Sequence, residues 1–196
     1  VFLSWVEAHF LEYQQLNETL YTEVLPNGLK VFVLPKPGFH KTYGLFSTNY
    51  GSIDNVFGYG EEMIHVPDGI AHFLEHKMFE KEDGDVFQQF GKQGASANAF
   101  TSFTKTSYLF SATDQVEENL LTLLDFVQDP YFTPETVEKE KGIIGQEIQM
   151  YDDDPNWRQF FGILKNLYPE HPLHIDIAGT IESIAEITAD DLYRCY

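Results

Sequence analysis

Two histidines and one glutamate within five consecutive residues form the part of this chain best suited to metal chemistry. His72 and His76 are four residues apart, and Glu75 directly precedes the second histidine. Offsets of three and four place side chains on one face of an α-helix, so both imidazoles can bind the same metal ion from adjacent turns. The alternative interpretation of the stretch is a solvated polar face on a helix. The spacing therefore predicts a metal site whose remaining ligands come from elsewhere.

A second acidic stretch of the chain offers a third metal ligand. A catalytic zinc site needs three protein ligands and keeps its fourth position open. Glu140 and Glu147 are seven residues apart, which is two helical turns on one face. Glu147 is flanked by Ile143, Ile144 and Ile148, so its part of the helix is expected to face the core. A carboxylate there needs a cation or a hydrogen-bond partner. We therefore interpret Glu147 as the third ligand.

Two predicted helices must hold these side chains. Asp68 is predicted to cap a helix from about Gly69 to Phe79, which carries both histidines. Thr133-Pro134-Glu135 is typical of a helix start, because a capping hydroxyl is followed by proline and then by an acid in the first turn. That helix is predicted to run to Asp152 and to carry Glu147.

The remaining patterns predict an α+β fold. Strands are predicted over residues 20–25 and 29–34, joined by Pro26-Asn27-Gly28, and over residues 42–49, 95–103 and 106–112. Further helices are predicted over residues 1–17, after Asp85, over residues 114–127, from Pro155 and over residues 189–196, and residues 50–67 are predicted to form a loop. We expect one domain, residues 1–196, with helices packed on one face of a mainly antiparallel sheet.

Charge, apolar patterning and cysteine content indicate which partners and which location to expect. The formal net charge is −19, with 12 basic against 31 acidic residues, so nucleic acid is not expected as a partner. No apolar run approaches the roughly 20 residues that cross a bilayer, so no membrane partner is expected. Cys195 is the single cysteine, which excludes a disulfide within the chain and favours a reducing, cytoplasmic location.

The motifs together resemble a known family. H-x-x-E-H at His72–His76 is the inverted zinc-protease order, and Glu147 follows His76 by 71 residues. With Glu140 and the segment Ser96-Ala97-Asn98-Ala99-Phe100-Thr101-Ser102, the chain resembles the inverzincin family of pitrilysin, insulin-degrading enzyme and mitochondrial processing peptidase. Residues 80–87, 128–132 and 170–180 look like its intracellular Gram-positive branch, and the resemblance extends from Tyr21 to Tyr196.

This resemblance implies a role for each matching residue. Zn²⁺ would have three ligands: His72, His76 and Glu147. Glu75 would be the general base that takes a proton from the water activated by zinc, and Glu140 would support the site from behind the ligands. The peptide would be held as an added strand by three residues: Asn98, Ala99 and Phe100. The implied function is a zinc-dependent endopeptidase acting on short or unfolded peptides.

The family also implies a larger assembly. Its members work with two domain copies that face each other across a chamber. We therefore expect residues 1–196 to be the N-terminal catalytic domain, with the C-terminal half absent and a second homologous domain or subunit closing the chamber. Because the anchoring residues of that second copy are not in this chain, activity is expected of the complete protein.

Two other functions fit part of the pattern. A thioether-cleaving lyase like the S-ribosylhomocysteine enzymes shares the H-x-x-E-H order, but it uses a cysteine as third ligand, and only Cys195 is present. A non-catalytic partner subunit would be expected to have lost parts of the motif, which is intact here. His171 and His174 are interpreted as loop residues, and Asp152-Asp153-Asp154 as a helix end followed by a cap.

Overall fold

The computed structural model describes residues 9–196, which belong to two compact units divided after His40. The first unit is a three-stranded antiparallel sheet in the order β1-β2-β3. Its strands are β1 (His9–Tyr13), β2 (Glu18–Val24) and β3 (Lys30–Val33). The predicted hairpin between β2 and β3 is confirmed. Gly28 takes a φ of 87° in its turn, a conformation that glycine adopts without steric cost.

Strand β1 contradicts part of the helix predicted over residues 1–17. Residues 9–13 pair antiparallel with β2, with His9 opposite Thr22 and Tyr13 opposite Glu18. Residues 1–8 lie outside the described residues. The apolar spacing of this segment is compatible with a helix, but pairing with β2 gives its backbone the hydrogen bonds of a sheet instead. Residues 14–17 form the turn between β1 and β2, so the helix prediction is wrong for residues 9–17.

The second unit contains the remaining strands and the helices. The strands are β4 (Thr42–Thr48), β5 (Val56–Tyr59), β6 (Glu62–His65), β7 (Glu80–Lys81), β8 (Gly84–Asp85), β9 (Ser96–Thr101) and β10 (Thr106–Ala112). The helices are α1 (Ile70–Met78), α2 (Val86–Lys92), α3 (Val116–Phe126), α4 (Pro134–Asp152), α5 (Pro155–Leu167), α6 (Ile181–Ala185) and α7 (Ala189–Cys195). The main sheet has the antiparallel order β4-β10-β9, while β5-β6 and β7-β8 form hairpins. The predicted α+β class is confirmed.

Helices α1, α2 and α3 pack against this sheet around an aromatic core. Phe90 of α2 stacks on Phe110 of β10, and Phe126 of α3 contacts Tyr108 edge-on. Phe73 of α1 is fully buried in the same core. Helix α1 packs against both β9 and α4, which brings the two predicted site helices together beside a strand of the sheet. Among the described residues, no helix combines the length and apolarity needed to cross a bilayer.

The region between β4 and α1 differs from its predicted loop. Strands β5 and β6 pair antiparallel, with Val56 opposite His65, and Gly60 takes a φ of 62° in the turn between them. The glycines at positions 58 and 60 favoured a loop prediction, but a hairpin uses glycine in the same way. The loop prediction for residues 50–67 is therefore wrong over this hairpin.

The start of α1 also differs from the prediction. Its N-cap is Gly69, with a φ of 88° and no side-chain capping bond. The Asp68 carboxylate instead accepts a hydrogen bond from Asn55 Nδ2 at 2.9 Å. The predicted cap by Asp68 is therefore wrong, because the left-handed glycine carries the chain into the helix. By contrast, the predicted cap of α4 by Thr133 is confirmed, and the helix predicted after Asp85 begins at Val86, with Asp85 as its cap.

The start of α1 lies in close contact with a later segment. A Cβ added at Gly69 would lie 2.4 Å from the Ala178 carbonyl oxygen, and one added at Gly179 would lie 2.5 Å from the Asp68 carbonyl oxygen. Ser183 Oγ also donates to the Asp68 carbonyl at 2.8 Å. The backbone at residues 178–179 is thus seated directly against the helix that carries His72 and His76.

Replacing Gly69 with alanine is expected to lower the free energy of unfolding by at least about 2 kcal/mol, because left-handed strain adds to a backbone clash. Gly142→Ala in α4 is the matched control, since nothing lies within 4 Å of its added Cβ. That change is expected to stabilise the helix by roughly 0.5–1 kcal/mol. Urea unfolding measures both, and equal stability of the two variants would contradict the close contact.

Candidate metal centre

One face of α1 carries the two histidines. Their rings are 4.6 Å apart between centroids, as expected for residues one turn apart. Phe73, Leu74 and Met78 are buried in the core and anchor the helix. The apolar contacts of α1 thereby fix the positions of both imidazoles.

Helix α4 brings Glu147 to the same place. Its Oε1 lies 3.7 Å from His72 Nε2, and its Oε2 lies 3.5 Å from His76 Nε2. The three side chains offer ligand atoms that all lie within 4.8 Å of one another. The structure therefore brings together the three residues predicted from the sequence, with one carboxylate oxygen turned towards each ring.

Glu140 lies on the other side of His76. Its Oε1 is 2.9 Å from His76 Nδ1, a distance typical of a hydrogen bond to an imidazole. Burial alone would lower the pKa of His76, but the bond to Glu140 and the charges of Glu140, Glu75 and Glu147 raise this pKa above its ordinary value. Because Nδ1 faces Glu140, Nε2 of the same ring is left facing Glu147.

His72 has a different environment. Burial, together with the nearby His76, lowers the pKa of His72 to about 3. The ring is therefore neutral at physiological pH and has a lone pair for a cation. Its Nδ1 is buried and has no hydrogen-bond partner among the described residues.

These properties fit a divalent metal ion. Two imidazoles and one carboxylate form a donor set found in catalytic zinc sites, which keep a fourth position open. Three carboxylates, from Glu75, Glu140 and Glu147, lie around the two imidazole rings. Of the two histidines, only His76 has a raised pKa. This excess of negative charge in a partly buried site favours a cation.

Glu75 is placed beside the ligand group but is not part of it. Only 8% of the residue is exposed, and Thr101 Oγ1 donates to its Oε2 at 2.6 Å. Burial raises the pKa of Glu75, and the neighbouring Glu147 adds to this, while the Thr101 bond and His76 act in the opposite direction. A carboxylate with a raised pKa is a better general base near neutral pH than an exposed one.

A cleft of about 340 Å³ opens onto these side chains. The three residues predicted to hold a peptide, Asn98, Ala99 and Phe100, line it together with His72, Glu75, His76 and Glu147. Strand β9, which carries them, pairs with β10, and the described residues place no strand on its other side. The Ala99 amide donates to the Asn98 side-chain oxygen at 2.9 Å.

Three further residues of the cleft were not predicted to have a role. Thr101 contacts Glu75, Tyr151 OH donates to Glu147 Oε1 at 3.0 Å, and Trp157 stacks on Tyr151. Burial and the Glu147 carboxylate raise the pKa of Tyr151 to about 12, so its hydroxyl keeps its proton. The spacing of four residues between Glu147 and Tyr151 was a signal for their contact, whereas the Thr101 contact depends on packing between β9 and α1.

Other candidate residues lie outside the cleft. Cys195 is a half-buried residue of α7, and burial raises the pKa of its thiol, which lies beside Tyr50. It does not line the cleft, which disfavours the lyase alternative. His171 and His174 lie at a 3₁₀ turn, Pro172–His174. Asp154 caps α5 by accepting from the amides of Asn156 and Trp157, which confirms the predicted helix end and cap.

Comparison with known proteins shows which family this chain belongs to. The model of the insulinase family, peptidase family M16, matches residues 65–181, a segment that contains both histidines, Glu75 and Glu147. The chain belongs to this family. It is 71% identical to the uncharacterized zinc protease YmfH of Bacillus subtilis over 95% of the chain, and it spans 44% of the length of that relative.

Solved structures support the fold of this insulinase-family chain. A crystal structure of an M16-like peptidase from Alicyclobacillus acidocaldarius superposes with a TM-score of 0.88 at 49% identity, covering 95% of this chain and 43% of that one. Pitrilysin superposes with a TM-score of 0.76 at 17% identity, covering 95% of this chain and 21% of its own, and supports the fold alone.

Proposed function

We propose that this chain supplies the zinc site of an endopeptidase that hydrolyses short or unfolded peptides. The observation that carries the proposal is the meeting of two imidazoles from α1 and one carboxylate from α4, with ligand atoms within 4.8 Å. Membership of the insulinase family supports it. So does the printed name of the Bacillus subtilis relative, a zinc protease.

His72, His76 and Glu147 are the proposed zinc ligands. When bound, zinc would supply Lewis-acid chemistry, polarising the scissile carbonyl and lowering the pKa of a water molecule. Glu140 would hold the His76 ring through Nδ1, so that Nε2 faces the ion; such outer hydrogen bonds orient ligands and tune metal affinity. The neutral His72 ring needs no deprotonation to bind.

Glu75 is the proposed general base. Its carboxylate would accept a proton from the attacking water and then pass it to the leaving amine. Thr101 occupies Oε2 through a 2.6 Å hydrogen bond, which leaves Oε1 for the water. Burial raises the pKa of Glu75, which makes its carboxylate a stronger base.

The peptide is proposed to bind along β9 as an added strand, a mode in which main-chain hydrogen bonds provide affinity. Ala99 would donate its amide to a peptide carbonyl in place of the Asn98 side chain, freeing the Asn98 amide to contact the substrate. Phe100 is 39% exposed and would contribute an apolar contact. The cleft is lined by these three residues together with the proposed ligands.

The catalytic domain is proposed to work with a second homologous domain or subunit. The chain spans 44% of the Bacillus subtilis relative, which leaves room in that protein for a further domain of similar size. A cytoplasmic location, favoured by the single cysteine, stays a prediction.

Metal removal tests the proposed function. The complete protein is expected to cleave a quenched fluorescent peptide, to lose at least about 90% of this activity when a chelator strips the metal, and to regain it with stoichiometric Zn²⁺. Retained activity in metal-free protein would contradict a zinc peptidase. Stoichiometric zinc without hydrolysis of a peptide library would favour the non-catalytic partner subunit.

A further inference from the structure

Tyr151, a residue that is not part of the family motif, contacts a proposed metal ligand. Its hydroxyl donates to Glu147 Oε1 at 3.0 Å, and both side chains belong to the same face of α4, one turn apart. We propose that Tyr151 is a positioning residue that holds the Glu147 carboxylate towards the two imidazoles. This inference rests on the metal-binding part of the proposed function.

Glu147 needs such a partner more than the histidines do. A glutamate side chain has three rotatable bonds and loses much rotamer freedom when it is fixed. About 22% of the Glu147 side chain is exposed, so packing alone does not hold its carboxylate. The hydrogen bond at Oε1 fixes the plane of the carboxylate, whose other oxygen lies 3.5 Å from His76 Nε2.

Tyr151 is itself held in place from behind. Its ring stacks on Trp157 at 4.5 Å between centroids and 19° between planes. Trp157 Nε1 donates to the Asp176 carboxylate, which also accepts from the Ala178 amide at 3.0 Å. The hydroxyl of Tyr151 is therefore aimed by α5 and by the segment that packs against the start of α1. A tyrosine without this support would be free to turn away from the carboxylate.

Two of the proposed ligands, His76 and Glu147, each have a hydrogen-bond partner outside the ligand group. Glu140 contacts His76 on the atom that faces away from the ligand group, and Tyr151 contacts Glu147 from within its own helix. Outer hydrogen bonds of this kind orient metal ligands, and their removal typically costs 10–100-fold in affinity. The phenol has a single proton, which it gives to Glu147, so it is not at the same time a donor to a substrate.

Tyr151→Phe tests this role in the complete protein, because it deletes the hydroxyl and keeps the ring that stacks on Trp157. Zinc affinity, measured by competition with a chromophoric chelator, is expected to fall about tenfold or more. In cobalt-substituted protein, the visible absorption bands of the metal are expected to shift as the carboxylate changes its geometry. Tyr168→Phe is the control: the same atom is removed from an exposed tyrosine that does not line the cleft, and no change is expected.

Two results would overturn the inference. One is zinc affinity and cobalt spectrum both unchanged in Tyr151→Phe. The other is unchanged metal binding with a reduced kcat, which would place the hydroxyl on the substrate instead. If the parent protein binds no zinc, the proposed function fails, and this inference fails with it. If the parent and Tyr151→Phe bind zinc with equal affinity, only the inference is removed. An unchanged urea midpoint verifies that the variant is folded.

Discussion

Glutamine in place of Glu75 is expected to leave zinc binding within about twofold of the parent and to lower peptide hydrolysis by a factor on the order of 10²–10⁴, the usual contribution of a general base. Glutamine has the same shape and keeps an oxygen that accepts from Thr101 Oγ1, so the cleft is preserved. What it lacks is the ability to take up a proton. Zinc stoichiometry and kcat/KM, measured on the same preparation, separate the two effects.

The pH dependence of the parent gives a second readout of the same base. Burial raises the pKa of Glu75, and the base must be deprotonated to act. Activity should therefore be full above that raised pKa and fall as the pH drops through it. Glu138→Gln, an exposed position on α4, is the matched control and should behave as the parent does. Hydrolysis by Glu75→Gln at the parent rate would remove Glu75 from the mechanism.

Alanine in place of Glu147 has the second large expected effect, a loss of zinc affinity of more than about 100-fold. Removing an outer partner of a ligand already costs 10–100-fold, and here a proposed ligand itself is removed. The Glu147 carboxylate reaches both rings, at 3.7 Å from His72 and 3.5 Å from His76, so its loss leaves two ligands on one helix. Competition with a chelator of known affinity measures the change.

The matched control for this variant is Glu138→Ala. It removes a carboxylate from the same helix, nine residues or about 13 Å earlier, where 69% of the side chain is exposed. Urea unfolding of metal-free Glu147→Ala verifies that the variant is folded, because the change also removes the acceptor of the Tyr151 hydroxyl. Undiminished zinc affinity in this variant would move the third ligand to another residue.

The parts of the fold that follow from local pattern were predictable. Helices α1 and α4 have apolar residues at helical spacing, and the Thr133 cap and Pro134 mark the start of α4, so both were predicted within one or two residues. The hairpin of β2 and β3 was predicted from Asn27 and Gly28, because few other residues suit such a turn.

The errors arise where tertiary pairing decides. Residues 9–13 have apolar spacing compatible with a helix, but they form a strand because β2 is available as a partner. Strands β5 and β6 were missed because glycines suit loops and hairpins alike. Asp68 has the residue type of a cap, but its carboxylate bonds to Asn55, which is distant in sequence.

In the candidate site, too, local spacing predicted some residues, while other contacts depend on tertiary packing. His72, His76, Glu140 and Glu147 were chosen from spacing and family resemblance, and the packing of α1 against α4 brings them together. Thr101 was not assigned a role because its contact with Glu75 crosses from a strand to a helix, and no spacing in the sequence encodes that contact. Tyr151 lies one turn beyond Glu147, so helical spacing alone would have predicted their contact.

His72, His76 and Glu147 are expected to hold one zinc ion between α1 and α4. Anomalous diffraction at the zinc edge, from crystals of the zinc-loaded complete protein, locates that ion. We expect one peak at roughly 2.0–2.2 Å from Nε2 of each histidine and from a Glu147 oxygen. A peak bound by other residues, or one that Glu147 does not reach, would contradict it.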